Sequence, residues 1–128
     1  MTPGKDIFDK TVEEWQNERA ILNDIVLDNA NLETKRFFSL DSQTYRAGAL
    51  DARTKELLGL VASMVLRCDD CILYHTIRCR EEGVTSDQYK EACTVALVVG
   101  GSIVIPHLRR AMARWTELDD SPGSASGR

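Results

Sequence analysis

Two cysteines and a histidine form the most chemically suggestive stretch of the chain. Cys68 and Cys71 stand three residues apart in the segment RCDDCILYH, and His75 follows four residues after Cys71. A CxxC pair can act as a redox dithiol, contribute to a metal site, or fill space in a helix. A nearby imidazole can accept a thiol proton, directly or through a water molecule. The stretch therefore raises redox chemistry and metal binding as hypotheses beside a purely structural interpretation.

The spacing of the two cysteines limits where they can form a disulfide. The two Cβ atoms must approach to about 3.5–4.5 Å, whereas helix residues three apart have Cβ atoms about 5–6 Å apart. The first cysteine must therefore lie at a helix end, and a break near Arg67 and Cys68 meets this condition. We expect Cys68 at the N-terminal end of a helix, where backbone N–H groups stabilise a thiolate. We also expect the disulfide to be reversible.

Two acidic residues, Asp69 and Asp70, lie between the cysteines. Acidic side chains suit a helix N-terminus, but their charge disfavours a nearby thiolate. The sequence leaves open which effect is larger, and therefore whether the dithiol is active. We expect Asp70 to restrain the dithiol, and Asp69, pointing to solvent, to matter less.

A zinc site would combine Cys79 with the two cysteines and the histidine of the motif. These ligand types suit zinc, but positions along one regular helix cannot surround a tetrahedral ion, and we expect no metal and no cofactor. Cys79 and Cys93 each stand alone in a helical segment, where a cysteine is commonly a core residue. His107 follows Pro106 and is expected to be a surface or capping residue.

Helical spacing of apolar residues dominates the first part of the chain, and strand-like alternation is scarce throughout. Residues 6–30 predict one or two helices, and residues 31–50 a short helix followed by a connection. The buried candidates in the first segment are Trp15, Ile21, Leu22, Ile25 and Val26.

The second part of the chain predicts four helices with recognisable ends. Asp51 is a suitable N-cap for the first, whose expected apolar face comprises Leu57, Leu58, Val61, Met64 and Val65. The second is expected from Cys71 to about Glu82, with Gly83 as its stop. The segment TSDQ, from Thr85, is a capping box that opens the third. This third helix is expected to run to Val99, before the Gly100–Gly101 break, and the fourth to follow or bend at Pro106.

Composition limits the classes of function. The 128 residues, 43% of them hydrophobic, suit one domain, expected over residues 1–118 with a disordered tail over 119–128. A net charge of −4 argues against nucleic-acid binding, and no basic amphipathic stretch suggests membrane contact. The charged start lacks a signal peptide, so we expect a cytoplasmic protein. In that compartment a CxxC pair is more often catalytic, redox-sensing or metal-binding than a structural disulfide.

Glu56 extends the motif into a longer pattern. Eleven residues separate Glu56 from the Cys68-x-x-Cys71 pair, and three residues separate Cys71 from His75. This pattern resembles the motif of the alkylhydroperoxidase D-like proteins, in the carboxymuconolactone decarboxylase superfamily. The resemblance covers about residues 50–112 and includes the turn at Gly83 before the SDQYKEA helix. It implies an all-α fold, a compact helical bundle that assembles as a homo-oligomer, either a trimer or a hexamer.

The resemblance also implies a thiol–disulfide oxidoreductase or peroxidase. Cys68 and Cys71 would be the redox pair, and Glu56 and His75 a proton relay. The substrate would be a hydroperoxide or a disulfide, and an external dithiol would be the reductant. Alkylhydroperoxidase D has a histidine directly before the second cysteine, where this chain has Asp70, and this departure bears on the strength of any peroxidase activity. The alternatives are a lactone decarboxylase of the same fold, which does not depend on the dithiol, and a non-catalytic oligomeric redox sensor.

Overall fold

Six α-helices dominate residues 7–119, the part of the chain that this computed structural model describes. No strand occurs among these residues, which confirms the all-α prediction. Apart from Asp119, the predicted tail lies outside the described residues. The helices are α1 Val12–Asn29, α2 Leu32–Thr44, α3 Ala52–Val65, α4 Asp69–Glu81, α5 Ser86–Gly100 and α6 Ile105–Asp119, with a 3-10 turn, Ser102–Val104, between the last two.

Residue contacts divide the chain into two compact units, with the boundary between Ala47 and Gly48. The N-terminal unit contains α1 and α2, and the C-terminal unit contains α3 to α6. The expectation of one domain over residues 1–118 stays a prediction. Across residues 7–119, every helix is too short or too polar to cross a membrane.

Local capping defines both helices of the N-terminal unit. Thr11 and Glu14 form a capping box at the start of α1, in which each side chain accepts a hydrogen bond from the other residue's backbone N–H, at 3.1 and 2.9 Å. The Asn31 side chain caps α2 by accepting from the Thr34 N–H at 3.0 Å. The second helix has 13 residues, so it is longer and more regular than the sequence predicted.

The apolar residues of α1 contradict the predicted burial. Ile21, Leu22, Ile25 and Val26 are 42–62% exposed in the single chain, so the prediction that they are buried is wrong. Trp15 is half-buried, with the Arg19 guanidinium 6.0 Å from its ring centroid. Helical spacing identifies an apolar face, but only the packed structure shows whether the same chain covers that face.

The C-terminal unit contains the main core. Helix α3 packs against α4 and α5, and α4 packs against α6. Within this core the rings of Tyr89 and Trp115 stack with their centroids 4.2 Å apart. The predicted apolar face of α3 is buried or half-buried except at Leu58, which is exposed. The buried core residues are Leu60, Met64, Ile72, Cys79, Val84, Tyr89, Cys93, Ala96, Val104, Ala111 and Trp115.

The predicted starts of α3 and α5 are confirmed. The Asp51 side chain accepts a hydrogen bond from the Thr54 N–H at 2.7 Å. Thr85 and Gln88 form the capping box of α5, with both reciprocal hydrogen bonds present. These signals were readable because capping involves residues only three positions apart.

Helices α3 and α4 end in the same backbone arrangement, a Schellman motif. After α3, the N–H groups of Arg67 and Cys68 donate to the carbonyls of Met64 and Ser63, at 3.0 and 3.1 Å. After α4, Gly83 occupies the position that corresponds to Arg67. Both residues are left-handed, with φ of 62° for Arg67 and 84° for Gly83. The chain therefore places an arginine, directly before Cys68, in a conformation that favours glycine.

Replacing Arg67 with glycine is expected to raise the free energy of unfolding by about 0.5–1 kcal/mol, because glycine has no Cβ to strain a left-handed backbone, although it loses more entropy on folding. Denaturant unfolding of the reduced protein would measure this difference. Gly83→Ala is the matched control, because its φ of 84° should make that variant less stable. Equal destabilisation by both changes would contradict the interpretation.

Candidate active site

The break between α3 and α4 places Cys68 at the N-cap of α4. The carbonyl of Cys68 accepts from the Ile72 N–H at 2.8 Å, and its Sγ accepts from the Cys71 N–H at 3.3 Å. The predicted location at a helix N-terminus is confirmed, although the helix begins at Asp69 rather than Cys71. A sulfur in this position receives a backbone donor that also stabilises a thiolate.

A disulfide joins Cys68 and Cys71, whose Cα atoms are 5.3 Å apart. Cys68 is half-buried, whereas Cys71 is exposed. Thiol–disulfide exchange requires an attacking thiolate to reach a sulfur atom. The exposure of Cys71 therefore leaves the pair accessible to a reductant from solvent.

Glu56 and His75 form a buried acid–base pair. Glu56 on α3 is 1% exposed and His75 on α4 is 8% exposed, and Glu56 Oε1 lies 2.9 Å from His75 Nδ1. An ionised Glu56 can only accept a hydrogen bond, so Nδ1 donates, and in the neutral form of the imidazole Nε2 then carries the lone pair. His75 stands one helical turn after Cys71. Helix α4 thus carries both a sulfur of the pair and an imidazole that is bound by a carboxylate of α3.

Arg78 is part of this site, although sequence reasoning missed it. Its Nε lies 3.5 Å from the second carboxylate oxygen of Glu56. The other guanidinium nitrogens bind Glu81 and Glu82, at 2.6 and 3.0 Å. Its position three residues after His75 was the available signal, because residues three apart share a helix face. Glu56 therefore lies between an imidazole, which forms a hydrogen bond with it, and a guanidinium, which compensates its buried charge.

Gly59 is the second residue that sequence reasoning missed. A Cβ atom on Gly59 would lie only 2.6 Å from Cε1 and 2.8 Å from both ring nitrogens of His75. The imidazole therefore packs directly on the backbone of α3. A glycine inside an otherwise strong helix was the available signal, because glycine weakens a helix interior unless something approaches closely.

The residues around the dithiol include one unexpected set of contacts. Asp69 is exposed, as expected, but His107 and Arg110 of α6 bind its carboxylate. His107, expected to be a surface or capping residue, is half-buried and reaches the segment of the dithiol through its contact with Asp69. Asp70, the other acid between the cysteines, is exposed. Whether Asp70 restrains the dithiol stays a prediction.

Cys79 and Cys93 lie in the core, as predicted. In residues 7–119, no group of three or more His, Cys, Asp or Glu side chains is arranged to hold a metal ion. Burial raises the pKa of Cys79 to about 12 and that of Cys93 to about 11. The neighbouring Glu56 carboxylate contributes further to the rise at Cys79.

Alkylation of the reduced, folded protein at neutral pH is expected to modify Cys68 and Cys71 but not Cys79 or Cys93. The thiolate is the reactive form, and pKa values of about 12 and 11 keep the two core thiols protonated. Peptide mapping after timed iodoacetamide treatment would measure this selectivity, and unfolded protein provides the control in which all four react. Early labelling of Cys79 or Cys93 would contradict the buried placement.

Helical architecture, the CxxC disulfide and the buried Glu–His pair define the class: an all-helical dithiol protein. The family model described as the carboxymuconolactone decarboxylase family matches residues 33–114. The chain therefore belongs to the carboxymuconolactone decarboxylase family, which confirms the suspected superfamily.

Relatives agree with this assignment. An uncharacterised protein of the cox locus of Paracoccus denitrificans is 35% identical over 83 residues, which cover 65% of this chain and 75% of the relative. The crystal structure of a Thermotoga maritima protein is similar with 57% identity and a TM-score of 0.83, over 84% of this chain and 95% of that one. A second crystal structure of the Thermotoga protein is 57% identical and has a TM-score of 0.81, over 84% of this chain and 91% of that one. A part in the antioxidative response has been suggested for the Thermotoga protein.

A more distant structure shares the fold. A carboxymuconolactone decarboxylase family protein of Legionella pneumophila is 22% identical and has a TM-score of 0.68, over 83% of this chain and 91% of the other. At this identity the likeness concerns architecture alone.

Proposed function

We propose that this protein is a thiol–disulfide oxidoreductase that reduces hydroperoxides with the Cys68–Cys71 pair. The observation that carries the proposal is the placement of this pair on the same helix as His75, whose imidazole is hydrogen-bonded to the buried Glu56. The antioxidative role suggested for the similar Thermotoga protein supports the same class of chemistry.

In the proposed reaction, one cysteine thiolate attacks a peroxide oxygen and breaks the O–O bond. The products are a sulfenic acid and, after uptake of a proton, an alcohol. The second thiol then attacks the sulfenic sulfur, a water molecule leaves and the disulfide forms. The hydroperoxide is thus reduced by two electrons, and the two thiols are oxidised by two.

An external dithiol would restore the pair by two thiol–disulfide exchanges. Its first thiolate can reach the exposed Cys71 sulfur. This attack would release Cys68 as the leaving thiolate, where the Cys71 N–H, 3.3 Å from Sγ, stabilises the negative charge. A disulfide substrate would be reduced by the same exchange chemistry, in which a thiolate of the reduced Cys68–Cys71 pair attacks the substrate disulfide.

The Glu56–His75 pair would act as the proton relay. With Nδ1 donating to Glu56, Nε2 can accept a proton from a thiol and return it to the departing alkoxide. The guanidinium of Arg78, 3.5 Å from Glu56, helps hold the carboxylate in place. We place this chemistry in the cytoplasm, where external dithiols are available.

Peroxide consumption by the reduced protein would test the function. Cumene hydroperoxide would be supplied with dithiothreitol, and wild type compared with Cys68→Ser, Cys71→Ser and the double variant. In wild type, each peroxide consumed is expected to oxidise the two thiols of the pair, and dithiothreitol is expected to reduce them again and sustain turnover. Each cysteine variant is expected to lose turnover. Cys93→Ala, which removes a core thiol outside the pair, is the control and should keep turnover.

Two results would reject the proposal in favour of an alternative. Lactone decarboxylation that survives in the double cysteine variant would identify a non-redox enzyme of the same fold. Disulfide formation in wild type without turnover, even with excess dithiol, would identify a redox sensor.

We also propose that the protein forms a homo-oligomer, a trimer or hexamer. Each of the two units exposes apolar side chains: those of α1 in the first, and in the second those of α5, where Val98 is 79% and Val99 is 69% exposed. Large exposed apolar surfaces commonly mark interfaces between proteins. Light scattering at micromolar concentration would measure the assembly, and a stable monomer would contradict it.

A further inference from the structure

Three side chains from two helices converge beside the dithiol. Asp69 directly follows Cys68 and is the first residue of α4. His107 Nδ1 lies 2.8 Å from Asp69 Oδ1, and Arg110 Nε donates to Asp69 Oδ2 at 3.0 Å. Arg110 Nη2 lies 3.0 Å from Asp69 Oδ2 and 3.3 Å from His107 Nδ1. Both carboxylate oxygens of Asp69 are therefore engaged by groups of α6.

These contacts change the electrostatic effect of the Asp69 carboxylate on Cys68. A lone carboxylate beside a cysteine opposes formation of the thiolate. A carboxylate paired with a guanidinium contributes a much smaller net charge to its surroundings. The side chains of Asp69 and Arg110 are 49% and 44% exposed, so solvent screens the pair and its contribution to folding is small. Stabilisation of the fold is therefore a weak account of the cluster.

We propose that Arg110, whose guanidinium neutralises Asp69, and His107, which binds the other carboxylate oxygen, are positioning residues that keep the Cys68–Cys71 pair reactive. Asp69 assists the N-terminus of α4, as an acid in the first turn does. The guanidinium of Arg110 on α6 compensates the charge that Asp69 would otherwise impose on a thiolate at Cys68. The prediction that the exposed Asp70 restrains the dithiol is separate from this proposal.

The proposal rests on the proposed function, because it assumes that the dithiol reacts as a thiolate. Its test nevertheless uses thiol reactivity rather than peroxide turnover. Loss of peroxide turnover with normal thiol reactivity would reject the function and leave this inference standing.

The test compares four variants of the reduced protein: Arg110→Ala, Asp69→Asn, the double variant of these two, and Arg109→Ala. Rates of alkylation at Cys68 and Cys71 and ultraviolet thiolate absorbance would be followed against pH. Arg109→Ala removes the same charge from the neighbouring, exposed position of α6 and is the matched control. Circular dichroism would show that each variant is folded.

Arg110→Ala is expected to slow alkylation at neutral pH by about threefold to tenfold, because it leaves the Asp69 carboxylate unpaired. A negative charge near a thiol raises the pKa of the thiol and lowers the thiolate fraction. Asp69→Asn is expected to change the rate in the opposite direction. The double variant should return to within about twofold of wild type, because the unpaired carboxylate is gone. Arg109→Ala should leave the rate unchanged.

A cluster that only holds α4 against α6 would behave differently. Arg110→Ala and Asp69→Asn would then slow the reaction alike, and the double variant would not recover. That pattern, or an effect of Arg109→Ala as large as that of Arg110→Ala, would overturn the proposal.

Discussion

Replacing His75 with alanine or Glu56 with glutamine is expected to slow alkylation of the Cys68–Cys71 pair by about 10²–10⁴-fold, the usual contribution of a positioned acid–base group. His75→Ala removes the proposed base. Glu56→Gln keeps the size of the side chain but removes the charge that orients Nδ1, to which Glu56 Oε1 lies at 2.9 Å. The pH dependence of the alkylation rate would distinguish a smaller thiolate fraction from restricted access of the alkylating reagent to the thiols.

The control for this experiment is Glu91→Gln, which makes the same chemical change at an exposed position of α5. It should leave the rate and its pH dependence unchanged. Circular dichroism would confirm that the Glu56 and His75 variants remain helical. If both variants fold and alkylate at the wild-type rate, the buried pair takes no part in thiol activation.

Gly59→Ala is expected to lower thiol alkylation and peroxide consumption about 10²-fold or more, because the imidazole is displaced and its acid–base contribution is lost. The new Cβ would lie 2.6–2.8 Å from three atoms of the His75 ring. The ring is buried and hydrogen-bonded to Glu56, so it cannot move aside without breaking that bond. Overpacking of this kind typically costs about 1–3 kcal/mol of stability.

Gly48→Ala is a matched control in the same unit, because a Cβ on Gly48 would meet only Lys55 Nζ, at an ordinary 3.7 Å. It should retain wild-type reactivity. Alanine favours a helix over glycine by about 1 kcal/mol, so a Gly59→Ala variant that is more stable and fully active would show that the ring is not held against the glycine.

Helix ends were predictable from sequence because their interactions are local. The caps at Asp51 and Thr85 bind N–H groups three residues away, and the left-handed Gly83 stops α4 within its own turn. The position of Cys68 followed from the same kind of argument, since a disulfide between residues three apart needs a helix end. What this argument could not show was that an arginine, Arg67, adopts the left-handed conformation that produces the break.

The burial of α1 could not be predicted in this way. Helical spacing correctly indicated an apolar face with Ile21 and Ile25, but both are exposed in the single chain. Helical spacing shows that one face of the helix is apolar, but it does not show whether this chain or another one buries that face.

By itself, the sequence determined the all-helical class, most helix ends and the dithiol at a helix N-terminus, because these depend on contacts within a few residues. The resemblance named Glu56 and His75, but only the packing of α3 on α4 brings these residues, 19 apart, to hydrogen-bonding distance. Tertiary structure alone placed His107 and Arg110 on Asp69, from 38 and 41 residues away. Such pairs depend on which faces of two helices meet, and that choice is made by the side chains of the whole core rather than by any local pattern.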